Sequence, residues 1–327
     1  MKTLLQLYED REHAIPGKDS FTLPGYACRS GGRQRVHVLA LGDVGSTLTL
    51  ALRLCGGDAI ETIGIRDLDE RVVERFETEF NQITMPLDYR AFPPVLPVGE
   101  EDLFACDAFV FCASRGVPPV EAGNIDVRMA QLERNAELVR SVAGAAAAAA
   151  YRGEFFIVSD PVDPLCKAAL QAGLAPQQIQ GFGLGVMNGR AAYYARRDSR
   201  FARYLEEGRA FGPHGEDLVI ADSVFAYDDA LSRQLSRLAA HSNRATRALG
   251  FKPYIAPAVS SGALSILENL RGHWHYSSAW FGRGGRGAFL GMKNRRTPRG
   301  LEIENLPLDD RLYRRIEQAY QNLKEIF

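Results

Sequence analysis

The chain has 327 residues, beyond the length at which one hydrophobic core usually stops growing, so we expect two domains with a cleft between them. Its composition, 46% hydrophobic and 24% charged, is typical of globular proteins. A formal net charge of -1 provides no field that would attract nucleic acid or an anionic membrane.

The five cysteines are odd in number and form neither a CxxC pair nor a Cys/His metal pattern. We therefore expect reduced thiols in a cytoplasmic protein without a metal site. Acidic residues interrupt the start of the chain before a signal peptide could develop. The alanine-rich run at residues 142–151 is about half the length that spans a bilayer, so it indicates a helix and not a membrane segment.

Residues 1–34 lack a clear period and are predicted to be an N-terminal arm. From Arg35, β-branched runs predict strands at residues 36–41, 62–66, 108–112 and 155–159. Helical stretches at residues 45–55, 71–83 and 127–150 alternate with them. This alternation predicts a Rossmann-type, doubly wound parallel sheet over residues 35–163.

After Pro164 the pattern becomes mixed, with predicted helices at residues 198–207, 229–249, 260–270 and 310–327 and a strand at 218–220. We expect an α+β substrate domain over residues 164–327. The GRGGRG run at residues 282–287 resembles an RNA-binding segment. Because it lies between apolar runs, it is interpreted as a hairpin or loop.

The predicted strand at residues 36–41 leads into a glycine turn and a helix, giving Ala40-x-Gly42-x-x-Gly45 where the usual dinucleotide fingerprint has three glycines. Gly42 would let a pyrophosphate approach the backbone, Gly45 would allow close helix packing, and the amides at Asp43 and Val44 face the phosphates. Asp67 ends the next strand, where an acid binds ribose hydroxyls, which favours NAD. Arg66 beside it leaves NADP as an alternative. Glycine turns of this kind also occur for steric reasons alone.

Six segments resemble motifs of the lactate/malate dehydrogenase family in their order and approximate spacing. They are LGDVGSTL (41–48), FVFCAS (109–114), RMAQLERNAELV (128–139), SDPVD (159–163), GLGVMNGRA (183–191) and GPHGED (212–217). The resemblance covers the chain from about residue 35 to its end. It implies hydride transfer between NAD and a small 2-hydroxy or 2-oxo acid, in a homodimer or homotetramer.

The resemblance also implies roles for single residues. His214 would transfer the proton, Arg128 would polarise the substrate carbonyl, and Arg190 would bind the carboxylate through a planar fork of two hydrogen bonds. Ser260 would contact the substrate. The remaining implied cofactor contacts are Ala113, Ser114 and Ser159. A surface arginine or a structural histidine is the alternative in each case.

Two substitutions depart from the family pattern. The aspartate that orients the histidine in the family is replaced here by Met187, and Asp160 stands where the family has asparagine. We hypothesise that the substitutions compensate, with Asp160 facing the substrate pocket and pairing with His214. The alternative is that catalysis is lost and the protein is an NAD-binding sensor or partner protein.

The loop over residues 114–127 is about five residues longer than in typical members of the family. At the positions that separate lactate from malate enzymes it carries Glu121, Ala122 and Gly123. These residues favour a lactate-like substrate over a dicarboxylate, although Arg115 offers a positive charge nearby. The related NAD-dependent glycosidases share the fold but use a Cys/His metal site, which is not evident here.

Overall fold

The computed structural model describes residues 1–26, 32–115, 125–215 and 217–326, with the backbone only over 125–131. Within these residues the strands are β1 (Ile15–Pro16), β2 (Ser20–Leu23), β3 (Gln34–Leu39), β4 (Ile60–Arg66), β5 (Val95–Pro97), β6 (Ala108–Phe111), β7 (Glu154–Ile157), β8 (Ile179–Gly181), β9 (Arg209–Phe211), β10 (Val219–Ala221), β11 (His275–Trp280), β12 (Phe289–Thr297) and β13 (Gly300–Glu304).

The α-helices of the same residues are α1 (Asp43–Cys55), α2 (Glu70–Asn81), α3 (Ile125–Ala148), α4 (Val162–Gln171), α5 (Leu184–Ala195), α6 (Tyr204–Glu207), α7 (Asp229–Ala248), α8 (Ser265–Arg271) and α9 (Asp310–Lys324). A π-helical stretch, Pro257–Leu264, leads into α8. Aspartates cap several helices, since Asp69, Asp228 and Asp309 accept hydrogen bonds from backbone amides in the first turns of α2, α7 and α9.

One large sheet crosses the described part of the molecule in the order β1-β2-β13-β12-β11-β8-β7-β6-β3-β4-β5. The strands from β8 to β5 are mutually parallel, and those from β11 to β1 pair antiparallel. A separate two-stranded sheet joins β9 to β10. The predicted α/β class, with a doubly wound parallel sheet and a mixed second part, is confirmed.

The parallel strands form because their side chains are apolar on both faces and helices cover both sides. Val36 and Val38 of β3 and all residues of β6 are buried. The chain winds from β3 toward β5 on one side and from β6 toward β8 on the other, so the crevice beside β3 is the switch point where ligands bind in such sheets.

The parallel sheet continues past residue 163, because α4 and β8 extend it by one more unit. The boundary predicted at this residue therefore falls inside the parallel unit. Four predicted strands match β3, β4, β6 and β7 within two residues at either end. The helix predicted over residues 198–207 is instead a short 3-10 turn, Ser199–Phe201, followed by α6.

The N-terminal arm is part of the sheet. β2 pairs with β13, and Phe21 lies opposite Ile303 in this pairing. Phe21 is fully buried and packs with Tyr8 and Phe281 in a cluster that α9 completes. The GRGGRG run forms a tight turn between β11 and β12, in agreement with the hairpin interpretation.

Among the described residues no helix is both long enough and apolar enough to cross a membrane.

We expect Phe21→Ala to lower the free energy of unfolding by about 3–5 kcal/mol, because it removes a buried ring and leaves a cavity. Urea unfolding of the full chain measures this change. The matched control is Ile15→Ala on neighbouring β1, where the side chain is 38% exposed and the expected loss is below about 0.5 kcal/mol. Equal losses for the two variants would contradict a structural role for the arm.

Candidate active site

The loop after β3 has the geometry of a phosphate-binding turn. Gly42 precedes α1, and a side chain there would point into open space. A Cβ on Gly45 would lie 1.9 Å from the carbonyl oxygen of Ala40, so only glycine permits this helix to approach the strand. Ala40 itself has a φ of 74°, in the left-handed region that favours glycine. The first fingerprint position thus keeps the backbone shape of the missing glycine.

Asp67 lies beside this loop, as its spacing predicts. Its Oδ2 accepts a hydrogen bond of 2.6 Å from the amide of Leu41, and its Oδ1 accepts one of 3.2 Å from Asp69. Asp43 occupies the first turn of α1 and forms an ion pair of 3.1 Å with Lys252. Val44 is partly buried against the core beneath the parallel sheet.

The other predicted cofactor contacts lie at the carboxyl ends of β6 and β7. The hydroxyl of Ser159 donates a 2.7 Å hydrogen bond to the carbonyl oxygen of Ala113, and Ser114 follows as an exposed residue. Because parallel strands end at the same edge of the sheet, these residues lie on the same edge as the glycine loop. The loop, its open cradle at Gly42 and the nearby acid fit a dinucleotide.

Asp160 and His214 are in direct contact, as hypothesised from the sequence. Their hydrogen bond joins His214 Nδ1 to Asp160 Oδ1 over 2.9 Å. Asp160 follows β7, and His214 lies in the loop between β9 and β10. The Asp160 side chain is 65% exposed and the His214 side chain only 11%. The second ring nitrogen of His214, Nε2, is buried and has no hydrogen-bond partner among the described residues.

Small residues and one amide fix this pair in place. A Cβ on Gly183, just before α5, would lie 3.0 Å from the Cβ of His214. Gly212 has a φ of 84° and turns the loop that carries the histidine. The buried Asn135 donates to the backbone oxygen of Asp160 at 2.9 Å and accepts from the amide of Arg115 at 3.0 Å.

Arg190 lies on α5, and its guanidinium is buried near Asp160. Nη1 approaches Met187 Sδ at 3.6 Å and the carbonyl oxygen of Ala239 at 3.5 Å, while Nη2 donates to Asn243 Oδ1. No carboxylate among the described residues forms an ion pair with it. Burial lowers the pKa of Arg190, and the charge of Asp160 partly opposes this effect. A buried cation in this state favours an anionic ligand.

The pKa values of Asp160 and His214 are shifted in opposite directions. The surrounding protein disfavours the charged form of Asp160 even though the side chain itself reaches solvent, but the charges of His214 and Arg190 and the hydrogen bond from His214 outweigh this effect and lower the pKa of Asp160. Burial also disfavours the charged form of the His214 imidazole. The charge and the hydrogen bond of Asp160, with a contribution from the charge of Asp163, outweigh this effect and raise the pKa of His214 above its ordinary value.

Asp163 is a second carboxylate beside His214, and the motif analysis gave it no role. It is buried, accepts a hydrogen bond from the hydroxyl of Ser278 and a second from the backbone amide of His214. Burial raises the pKa of Asp163 to about 6 despite these hydrogen bonds.

Two other residues named from the sequence, Met187 and Ser260, lie within the described part of the chain. Met187 lies one turn before Arg190 on α5, where it contacts the guanidinium. Ser260 belongs to the π-helical stretch and lines a groove with Asn188 and Gly189, on the face of α5 opposite Arg190, so it does not join the Asp160–His214 pair. Arg128 lies in the first turn of α3, but its side chain is outside the described part of the chain, as are Glu121, Ala122 and Gly123.

Three neighbouring residues were not predicted, namely Asp163, Asn243 and Ser278. Asp163 is part of the quoted SDPVD segment, but its partner Ser278 lies 115 residues further along the chain. Asn243 is 53 residues from Arg190. Neither contact leaves a local signal in the sequence. In the described ranges no group of three or more His, Cys, Asp or Glu side chains is arranged to hold a metal ion.

Over about nine tenths of the chain, the fold matches that of solved lactate and malate dehydrogenases. A lactate dehydrogenase from a deep-sea metagenome library superposes with a TM-score of 0.72 at 18% identity, covering 90% of this chain and 98% of that one. The malate dehydrogenase of Archaeoglobus fulgidus in complex with NADH gives 0.72 at 15% identity, covering 89% and 98%. The comparison therefore shows that the chain has the fold of these structures, with a Rossmann-type parallel sheet in one part.

The sequence is also similar to curated proteins. The chain is 29% identical to the L-lactate dehydrogenase of Treponema denticola over 197 residues, which are 59% of this chain and 58% of the relative. It is 24% identical to the L-lactate dehydrogenase of Corynebacterium glutamicum over 205 residues, or 62% of each chain. The matches thus span about three fifths of these relatives, and no protein-family model matches the sequence. The chain is thus similar in sequence to curated L-lactate dehydrogenases and similar in fold to solved lactate and malate dehydrogenases.

We expect Ala40→Gly to raise the free energy of unfolding by about 0.5–1 kcal/mol, because glycine relieves the left-handed backbone at a smaller cost in unfolded-state entropy. Urea denaturation measures the change. Ala51→Gly, in the interior of α1, is the matched control and should lower stability by about 1 kcal/mol. A loss of stability in both variants would show that Ala40 is not strained.

Asp163 should make stability fall as the pH rises from about 4 to about 6. Its folded pKa of about 6 exceeds the ordinary aspartate value of 3.8, so the folded state binds the extra proton between these values. The difference in unfolding free energy between wild type and Asp163→Asn should change by up to about 1.4 kcal/mol per pH unit in this window and stay constant above it. Urea unfolding across pH 4–8 measures it, and a constant difference throughout would contradict the raised pKa.

Proposed function

We propose that the protein is an NAD-dependent oxidoreductase that interconverts a small 2-hydroxy acid and the corresponding 2-oxo acid. The observation that carries the proposal is the buried guanidinium of Arg190, without a carboxylate partner among the described residues, beside the Asp160–His214 pair. A substrate carboxylate supplies the missing anion. It accepts two charge-assisted hydrogen bonds from the planar fork and so fixes the position of C2.

NAD bound at the loop after β3 supplies the hydride acceptor. The residues that would hold it are Gly42, Asp43, Val44 and Gly45 at the phosphates and Asp67 at the ribose, with Ala113, Ser114 and Ser159 along the strand ends. We propose NAD over NADP because an acidic Asp67 beside the ribose would repel a 2′-phosphate.

The Asp160–His214 pair exchanges the proton on the C2 oxygen. When the hydroxy acid is oxidised, hydride leaves C2, the hydroxyl proton passes to the pair and the C=O bond forms. Met187 cannot take the orienting role of a carboxylate, whereas Asp160 bonds the imidazole directly and so fixes its ring. By likeness to its relatives, we propose that Arg128 stabilises the negative charge on this oxygen.

A monocarboxylic substrate fits this site better than a dicarboxylate. The 65% exposed carboxylate of Asp160 would repel a second carboxylate, whereas the nearby guanidinium of Arg190 would bind the first one. We therefore propose a lactate-like substrate. The three sequence relatives are named L-lactate dehydrogenase.

We expect the wild-type protein to oxidise NADH when a monocarboxylic 2-oxo acid is added, as followed by absorbance at the NADH band. Arg190→Gln should raise KM about 10- to 100-fold, because it loses charge-assisted hydrogen bonds to the carboxylate. The matched control is Arg196→Gln, an exposed arginine that caps the C-terminus of α5, and it should leave KM unchanged.

Two outcomes would contradict the proposal. NADH binding without turnover of any acid in a panel of 2-oxo acids would favour the sensor alternative. Equal KM values for wild type and Arg190→Gln would show that the buried guanidinium does not bind the substrate.

A further inference from the structure

An ion pair joins the glycine loop after β3 to a distant part of the chain. Lys252 Nζ lies 3.1 Å from Asp43 Oδ2, although the two residues are 209 positions apart. Asp43 is the first residue of α1, and Lys252 lies between α7 and the π-helical stretch. Their side chains are 49% and 81% exposed, respectively. Exposed ion pairs contribute at most about 1 kcal/mol to stability, so the fold gains little from this one.

The side chain of Asp43 has the wrong charge for a phosphate-binding loop. The amides and the dipole at the N-terminus of α1 attract phosphates with a partial charge of about half a unit. A carboxylate in the same turn opposes this attraction, because a diphosphate is dianionic. Asp43 does not cap the helix, since Gly42 occupies the N-cap position. A dinucleotide in this loop therefore needs a cation beside Asp43.

We infer that Lys252 is a cofactor-binding residue, which neutralises Asp43 and donates a hydrogen bond to the diphosphate of NAD. This inference rests on the proposed function, which puts NAD in this loop. An ammonium group has three N–H donors, and Asp43 takes one of them. The others are available to phosphate oxygens. The flexible stem of a lysine lets the ammonium group reach them without a change in the backbone.

The other acids beside this loop have their own partners. Asp67 accepts a hydrogen bond from the amide of Leu41, and Asp69 forms an ion pair of 2.8 Å with Arg71. Neither contact brings a positive charge to the first turn of α1. Among the described residues, Lys252 is the cation whose ion pair places a positive charge there.

The test is to measure the Kd of NADH by fluorescence titration at low salt. Lys252→Gln should raise this Kd about tenfold, because it removes a hydrogen bond from a charged donor. The matched control is Lys18→Gln, the same change of charge on the turn between β1 and β2, at the far edge of the sheet from β3. It should leave the Kd unchanged.

The acid and the lysine should act on NADH in opposite directions. Asp43→Asn should lower the Kd of NADH about two- to fivefold, because it removes the charge that repels the diphosphate. The double variant Asp43→Asn/Lys252→Gln should have a Kd between those of the two single variants. Higher salt should reduce all these differences, since the side chains are exposed and their charges are screened.

Two fragments of the cofactor show whether the lysine acts on the phosphates. ADP-ribose keeps the diphosphate and lacks the nicotinamide, whereas adenosine lacks the diphosphate as well. In displacement of NADH, Lys252→Gln should weaken ADP-ribose by the same factor as NADH and should leave adenosine unchanged. Equal weakening of adenosine would show that the variant alters the shape of the site, and this would overturn the inference.

The wild-type titration separates the two levels of the proposal. If the wild type does not bind NADH, the proposed function fails and the inference fails with it. If the wild type binds NADH and Lys252→Gln binds it equally well, only the assignment of Lys252 fails. Thermal unfolding of each variant shows whether it retains the fold.

Discussion

The hydrogen bond between His214 and Asp160 depends on where the sheet ends its parallel strands. Asp160 leaves β7 at the same edge at which β3 and β6 end, and the loop between β9 and β10 crosses this edge. Gly183 provides the space for the imidazole, and Asn135 links the backbone of Asp160 to that of Arg115. The pair is therefore a product of the sheet topology, supported by Gly183 and Asn135 on neighbouring elements.

The negative charge beside the imidazole of His214 comes from a different position here than in the family pattern. In the family pattern a carboxylate stands on the helix that carries the substrate-binding arginine. Here that position is Met187, which contacts Arg190. Moving the carboxylate to Asp160 leaves the guanidinium without a neighbouring ion-pair partner in the described chain, and it puts an exposed anion at the carboxyl end of β7. The same number of charges therefore gives a differently charged surface at this edge of the sheet.

Much of the fold could be predicted because parallel strands buried on both faces carry continuous apolar runs, and glycine turns mark their ends. The pairing of Asp160 with His214 could also be predicted, since a lost carboxylate at residue 187 and a gained one at residue 160 point to compensation. Contacts between residues far apart in the chain could not be predicted from the sequence. β2 pairs with β13 nearly the whole chain away, and the bond between Ser278 and Asp163 has no local pattern.

The face of α5 that Ser260 approaches could not be predicted from the sequence either. Its π-helical stretch packs beside α5, but a helix turns by about 100° per residue, so neighbouring side chains point to different faces. Sequence order places Ser260 in a plausible segment, but only the packing decides which face of α5 it approaches. That face carries Asn188 and Gly189, and Arg190 points the other way.

The continuous sheet limits the way in which this molecule can enclose a ligand. β8 bonds to the parallel strand β7 on one side and to the antiparallel strand β11 on the other. The bond of Ser278 to Asp163 and the ion pair of Arg296 with Glu154 tie the same junction. Hinge rotation of one half against the other would break this ladder. A ligand bound at this edge would therefore be shielded from water by local movement of the surrounding loops, while the groups on the sheet keep their spacing.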